Sequence, residues 1–130
     1  MLGDALKLSI NSKSVSQETA EFYFPPGLWC PVTQPAVATD SHCLNSTGEV
    51  FELGTKLYDV GLHLREGYIV PLHDAASFEP MTTVDVANSR IDFAINPQKT
   101  DGLLFTYNAT GSFINDDGET LDTAEGVNSY

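Results

Sequence analysis

The densest polar cluster in the sequence is residues 115–119, which read Asn-Asp-Asp-Gly-Glu. A calcium loop of the helix-loop-helix type has Gly at its sixth position, so Gly118 would place the first and twelfth ligands at Phe113 and Ala124. Neither side chain carries an oxygen that can bind calcium. We therefore predict an acidic hairpin turn, because Asp117-Gly118 is a pair that such turns favour.

Catalytic chemistry is the next possibility for these carboxylates. Glycoside hydrolysis needs two carboxyl groups that face each other about 5–10 Å apart across a sugar. Successive residues on a strand, such as Asp116 and Asp117, point to opposite faces and cannot converge on one bond. His42, His63 and His73 show no zinc-binding spacing, and a Gly-x-Ser-x-Gly turn is absent. We predict no catalytic, cofactor-binding or metal-binding residue, and no activity of this chain alone.

Two cysteines and two glycosylation sequons indicate an oxidising compartment. Cys30 and Cys43, which are 13 positions apart, bracket a polar stretch. A disulfide between them would add about 3 kcal/mol of stability, and the alternative is two buried thiols. Asn45 begins an Asn-Ser-Thr sequon and Asn108 begins an Asn-Ala-Thr sequon. Together they favour the disulfide, glycans on both asparagines, and a lumenal or extracellular location.

Composition excludes several other classes of function. The 130-residue chain suits one domain or one and a partial second, and 42% hydrophobic residues are enough for a core. Its 18 acidic and 6 basic residues give a net charge of −12, and the Lys and Arg residues are scattered, which disfavours nucleic acid as a partner. No apolar run approaches the roughly 20 residues that cross a bilayer, so we predict no membrane insertion.

Hydrophobic patterning predicts an all-β fold. Short strands separated by turn residues favour a β-sandwich or barrel, and they are expected at residues 6–10, 21–24, 28–32, 50–53, 58–64, 68–72, 82–86, 91–95, 103–107 and 112–114. Residues 33–48 read as a long loop tied by the cysteines, and residues 74–80 as a polar connector. Alternation in the fifth predicted strand, residues 58–64, places Leu62 and Leu64 in the core and His63 on the outward face. Trp29 and residues 22–24 suit a core better than a sugar-stacking platform.

Five segments, in order along the chain, resemble glycoside hydrolase family 31. Residues 3–9 (GDALKLS) resemble the end of its catalytic barrel, and residues 23–29 (YFPPGLW) resemble the strand that opens the following domain. Residues 62–72 (LHLREGYIVPL) are similar to the family's arg-gly-gly-tyr-ile-ile-pro signature, with Glu66 in place of its first glycine. Thr82-Thr83 with Ser89-Arg90 resembles the next connector, and residues 111–120 (GSFINDDGET) resemble a following hairpin.

The resemblance is closest to the branch of acid α-glucosidase, maltase and sucrase-isomaltase. It implies a retaining α-glucosidase as the parent enzyme. Its two aspartates lie in an upstream (β/α)8 barrel, and proximal and distal β-sandwich domains follow that barrel. Residues 1–80 would form the proximal domain, with residues 1–10 ending the barrel or connecting to it, and residues 81–130 would begin the distal domain. The family's nucleophile motif, trp-x-asp-met-asn, is absent here. Met1 would then be an internal residue of a longer or dissociated polypeptide.

The expected function is that of a non-catalytic module that packs against the barrel of the same or an associated polypeptide. Carbohydrate is then a substrate of the parent enzyme only, and the expected location is lysosomal or secreted. The barrel-facing surface is predicted to include residues 6–10 and the aromatics near Trp29. The alternatives are a stand-alone carbohydrate-binding or scaffolding β-domain and, last, an independent small hydrolase.

Overall fold

The computed structural model describes residues 1–11, 19–32, 42–54, 60–73, 82–100, 106–114 and 127–129. They form an all-β fold with one short helix, which confirms the predicted fold class. The elements are β1 (Leu6–Ile10), β2 (Thr19–Phe24), β3 (Gly27–Pro31), β4 (Leu44–Ser46), β5 (Glu49–Gly54), β6 (Val60–Arg65), β7 (Tyr68–His73), α1 (Thr83–Ala87), β8 (Ile91–Asn96), β9 (Gln98–Thr100), β10 (Thr106–Asn108), β11 (Ser112–Ile114) and β12 (Val127–Ser129).

The chain divides into two compact units, unit 1 (Met1–Glu66) and unit 2 (Gly67–Tyr130). The connector at residues 74–80 lies outside the described residues. The assignment of residues 1–80 and 81–130 to two family domains stays a prediction.

Unit 1 contains a four-stranded antiparallel sheet in the order β1-β6-β3-β4 and a two-stranded sheet formed by β2 and β5. Aromatic rings join the two sheets. Phe24 of β2 makes edge-to-face contacts with Trp29 of β3 and His63 of β6, at ring-centroid distances of 5.9 and 5.0 Å. Phe24 and Trp29 are fully buried. Unit 1 is therefore a small β-sandwich with an aromatic core.

Polar contacts hold the core tryptophan in place. The Trp29 indole Nε1 donates a hydrogen bond to the Pro25 carbonyl at 2.8 Å, so the buried N–H is satisfied. The Arg65 guanidinium lies 5.8 Å from the Trp29 ring and donates to the Pro26 carbonyl at 3.2 Å. The Pro-Pro-Gly turn before β3 thus supplies carbonyls as well as a change of direction, and it anchors both side chains.

Unit 2 contains three strand pairs, β7–β8, β9–β10 and β11–β12, among its described residues. An isolated parallel bridge joins Tyr68 and Thr110. The Ile69 amide donates to the Thr110 carbonyl at 3.0 Å, and the Thr110 amide donates to the Gly67 carbonyl at 2.9 Å. The chain just before β11 is therefore bonded through its backbone to the start of β7.

Two predictions of local structure are wrong. Residues 82–86 were expected as a strand, but Thr83–Ala87 form α1, because Thr82 and Asp85 make a capping box. The Asp85 carboxylate accepts from the Thr82 amide at 2.9 Å, and the Thr82 hydroxyl accepts from the Asp85 amide at 3.2 Å. Strand β4 lies within the predicted loop at residues 33–48; only its pairing with β3 makes Leu44–Ser46 extended.

Candidate functional site

The inner face of the four-stranded sheet, which faces β2 and β5, carries polar side chains from β1 and β6. Lys7 pairs with His63 and Ser9 pairs with Gly61, so Lys7, Ser9 and His63 share this face. Ser9 and His63 are buried. The prediction that His63 faces outward is wrong, because the Phe24 ring covers the imidazole. Alternation revealed that neighbouring residues face opposite ways, but not which way the second sheet lies.

His63 is a buried imidazole, and its surroundings favour the uncharged form. Burial lowers its pKa below the ordinary value of 6.5, and the positive charge of Lys7 lowers it further. The Lys7 ammonium lies 5.3 Å from the Phe24 ring centroid and donates to the Leu8 carbonyl at 3.1 Å. Nδ1 of His63 and Oγ of Ser9 have no hydrogen-bond partner among the described residues. A serine this deeply buried cannot reach a substrate, so the pair offers no hydrolase chemistry.

The outer face of the same sheet is aliphatic across β1 and β6. Every residue of that parity is Leu, Ile or Val, and we call this set the aliphatic face: Leu6, Leu8, Ile10, Val60, Leu62 and Leu64. Leu64 is buried, whereas Ile10 and Val60, which pair directly, are 56% and 55% exposed. Exposed apolar side chains that adjoin one another are typical of contact surfaces.

Strands β3 and β4 continue this outer face with a disulfide and a sequon. Cys30 pairs with Leu64, and its sulfur is bonded to that of Cys43, just before β4, at 2.04 Å. Leu28 pairs with Asn45. Asn45 therefore projects from the same face as the aliphatic residues, at the opposite edge of the sheet, and it is exposed. A disulfide is compatible with an extracellular or secretory-pathway protein.

The second sequon lies in unit 2. Asn108 is the last residue of β10, where it pairs with Gln98, and it is exposed.

The aromatic residues predicted for a barrel-facing surface differ in exposure. Trp29 is fully buried and contributes nothing to an exposed surface. The aromatic residue near it that does reach the surface is Tyr23, which lies on the outer side of β2 opposite Val50.

One pair of carboxylates was not predicted from the sequence. Glu21 of β2 and Glu52 of β5 are directly opposite each other, and both are exposed. The Thr19 hydroxyl donates to the Glu52 carboxylate at 2.6 Å. The two glutamates lie side by side on one exposed face of the sheet, whereas a glycosidase holds its carboxylates on two sides of a sugar. Only the register of β2 against β5 brings them together.

The remaining predicted residues form no site within the described ranges. Residues 115–119, and with them the predicted acidic turn, lie outside those ranges. His42 and His73 are exposed, and Nδ1 of His73 is 2.7 Å from the Ser89 hydroxyl. Across the described part of the chain, His, Cys, Asp and Glu side chains form no group of three that could hold a metal ion.

Comparison with known proteins gives no family assignment. No protein-family model matches the chain, and no curated protein matches its sequence significantly. A search for membrane spans among the described residues finds no helix with the length and apolar character to cross a bilayer.

Proposed function

We propose that this chain is a non-catalytic β-domain of an α-glucosidase-like enzyme of glycoside hydrolase family 31, and that it packs against the catalytic barrel. The observation that carries the proposal is the aliphatic face on β1 and β6. A sheet buries one face against its own second layer, and here that layer is β2 and β5. A second apolar face on the same sheet suits a second packing partner.

The sequence resemblance supports a catalytic barrel as that partner. Residues 3–9 resemble the end of the family's barrel, and they overlap β1 (Leu6–Ile10), which contributes half of the aliphatic face. The strand that would leave the barrel is thus the strand with exposed Ile10. The segment at residues 23–29, which resembles the opening strand of the proximal domain, supplies Phe24 and Trp29 to the sandwich core.

The chemistry of the described side chains supports a structural role. Ser9 and His63 are buried in the core, and Glu21 and Glu52 lie on an open sheet surface. The parent enzyme, with its aspartates in the barrel, would hydrolyse the α-glucosidic bond. The disulfide and the exposed Asn45 and Asn108 support a lysosomal or secreted location for the assembly.

The first test is purification from the native source under non-denaturing conditions. We expect a (β/α)8 barrel to be covalently continuous with this chain or tightly bound to it, as determined by intact mass, and the material to hydrolyse maltose or an aryl α-glucoside. The chain expressed alone should be inactive. Native material that consists of this chain alone, as a monodisperse monomer without dye binding, would instead favour the stand-alone β-domain.

A matched pair of variants tests the surface. Val60 and Val50 are 55% and 57% exposed, but Val60 belongs to the aliphatic face and Val50 lies on the outer side of β5. Val60→Glu should lower both hydrophobic-dye binding by the isolated chain and its association with a co-expressed barrel several-fold. Val50→Glu should leave the association unchanged, because Val50 and the exposed Tyr23 opposite it lie outside the aliphatic face. Equal effects of the two substitutions would contradict the assignment of the docking face.

A further inference from the structure

We infer that an N-linked glycan on Asn45 shields the β4 edge of the four-stranded sheet and confines any partner to the β1–β6 half of the outer face. Asn45 and Thr47, the first and third sequon residues, are both exposed. In the modification, Nδ2 of Asn45 forms a bond to the anomeric carbon of a lipid-pyrophosphate-linked oligosaccharide. The carbon–oxygen bond breaks, the pyrophosphate leaves with the electron pair, and the amide loses one proton.

The glycan would stand on an edge strand. β4 is the last strand in the order β1-β6-β3-β4, and within the described residues it pairs only with β3. An edge strand presents backbone groups to which another chain can add, and proteins cover such edges or place charges on them. β4 carries no charged residue. A bulky, hydrated glycan in the middle of this three-residue strand would prevent edge-to-edge pairing.

Local contacts hold the attachment point rigidly. The hydroxyl of buried Ser46 donates to the Phe24 carbonyl at 2.7 Å and accepts from the Gly48 amide at 3.0 Å. On the other side of Asn45, Cys43 is bonded to Cys30. The chain is thereby tied to the core on both sides of Asn45, which defines the direction in which the glycan leaves the sheet.

That direction is the side of the aliphatic face. Asn45 pairs with Leu28, and Cys30, two residues further on the same strand, pairs with Leu64. Strands are spaced about 4.8 Å apart, so Asn45 lies about 10 Å from β6 and about 14 Å from β1 across the sheet. The glycan would cover the β3–β4 half and leave Ile10 and Val60 accessible. The confinement of a partner to the β1–β6 half rests on the proposed docking function, whereas the shielding of the β4 edge does not.

Asn108 provides an internal control. It lies on β10, whose three residues pair with Gln98, Lys99 and Thr100, so both strands of this pair are largely polar. β10 is likewise an edge strand among the described residues, but neither it nor β9 contains an aliphatic residue, so removal of a glycan from Asn108 would expose an edge without an aliphatic face beside it.

The test uses the chain secreted from eukaryotic cells and compares Thr47→Ala with Thr110→Ala. Each substitution removes one sequon at its third position and keeps the asparagine. We expect peptide mapping to find Asn45 occupied, and Thr47→Ala to raise the aggregated fraction several-fold over Thr110→Ala. Enzymatic trimming of the glycans from folded protein, in wild type and in Thr110→Ala, should raise aggregation in both, which separates shielding from a folding defect. An unoccupied Asn45, or equal aggregation of the two variants, would overturn the inference.

A sequon introduced on β1 tests whether a partner binds to the β1–β6 half of the outer face. Leu8→Asn with Ile10→Thr places a glycan acceptor on β1 within the aliphatic face, and Leu8→Gln with Ile10→Thr is its control without an acceptor. Relative to that control, the glycan on β1 should abolish association with a co-expressed barrel, whereas the natural Asn45 glycan should leave it intact. If association survives the β1 glycan, the docking face and the confinement are wrong, but the edge-shielding result stands independently.

Discussion

The two compact units of the chain differ in the contacts that stabilise each of them internally. In unit 1, Phe24 and Trp29 are fully buried between two sheets, and a disulfide ties β3 to the chain before β4. In the described part of unit 2, the aromatic contact between Phe93 and Phe113 has a centroid distance of 6.3 Å, and Phe93 is 39% exposed. Among the described residues, fully buried aromatic side chains thus lie in unit 1 and not in unit 2. The same kind of substitution should therefore have different effects in the two units.

The largest expected difference concerns aromatic truncation. Trp29→Ala should lower the free energy of unfolding of unit 1 by about 3–5 kcal/mol, because it opens a cavity in the core and leaves the Pro25 carbonyl without its donor. Phe93→Ala should cost about 1 kcal/mol, because part of that ring already contacts solvent. Urea denaturation monitored separately in each unit measures both. Comparable losses would show that unit 2 has a core of similar quality.

Removal of the disulfide should have the next largest effect. The double variant Cys30→Ala with Cys43→Ala should lose about 3 kcal/mol, since the bond closes a loop of 13 positions. Reductant should destabilise the wild type by a similar amount and leave the double variant unchanged. Both treatments should act on unit 1 alone, as hydrogen exchange of unit 2 amides can verify. Two alkylatable thiols in freshly isolated native protein would contradict the pairing.

Substitution of a glycine, unlike the two changes above, should destabilise unit 2 more than unit 1. A Cβ at Gly111 would lie 2.3 Å from the Ile69 carbonyl oxygen, which is backbone, so β7 and the chain before β11 must separate. Gly111→Ala should therefore destabilise unit 2 by about 1–3 kcal/mol. A Cβ at Gly61 in unit 1 would come no closer than 3.3 Å to the Ser9 side chain, which needs a smaller shift. Thermal unfolding of the two variants should show the larger drop in Tm for Gly111→Ala.

The smallest effect is pH dependence confined to unit 1. The pKa of His63 is lowered by burial from 6.5, so below that pH the unfolded chain binds more protons than the folded one. Stability that is fully present above pH 6.5 should decline as the pH falls, until the folded-state pKa is passed. His63→Leu should flatten this part of the urea-midpoint profile. An identical slope in His63→Leu would show that His63 does not titrate in this way.

Strand positions were the most predictable part of the fold. The alternation at residues 6–10 and the apolar run at residues 68–72 correspond to β1 and to β7 (Tyr68–His73). The helix α1 was not predicted, because Val84 and Val86 alternate as in a strand. The capping box between Thr82 and Asp85, which favours the helix, is a pair of local hydrogen bonds that hydrophobic alternation does not reveal. Asn45 was found from its sequon, but its place on an edge strand required the pairing of β4 with β3.

The sequence by itself determined that β1 and β6 each have one aliphatic and one polar side, since side chains alternate along a strand. It also determined the cysteine pair, both sequons and the aromatic residues that build the core. Only the tertiary structure decided which side faces inward. The polar side, with Lys7, Ser9 and His63, packs toward β2 and β5 because the Phe24 ring closes over His63, with the Lys7 ammonium beside it. The aliphatic side is thereby left outward. Asn45 projects from the same face at the opposite edge, because sheet pairing joins strands that lie far apart in the chain.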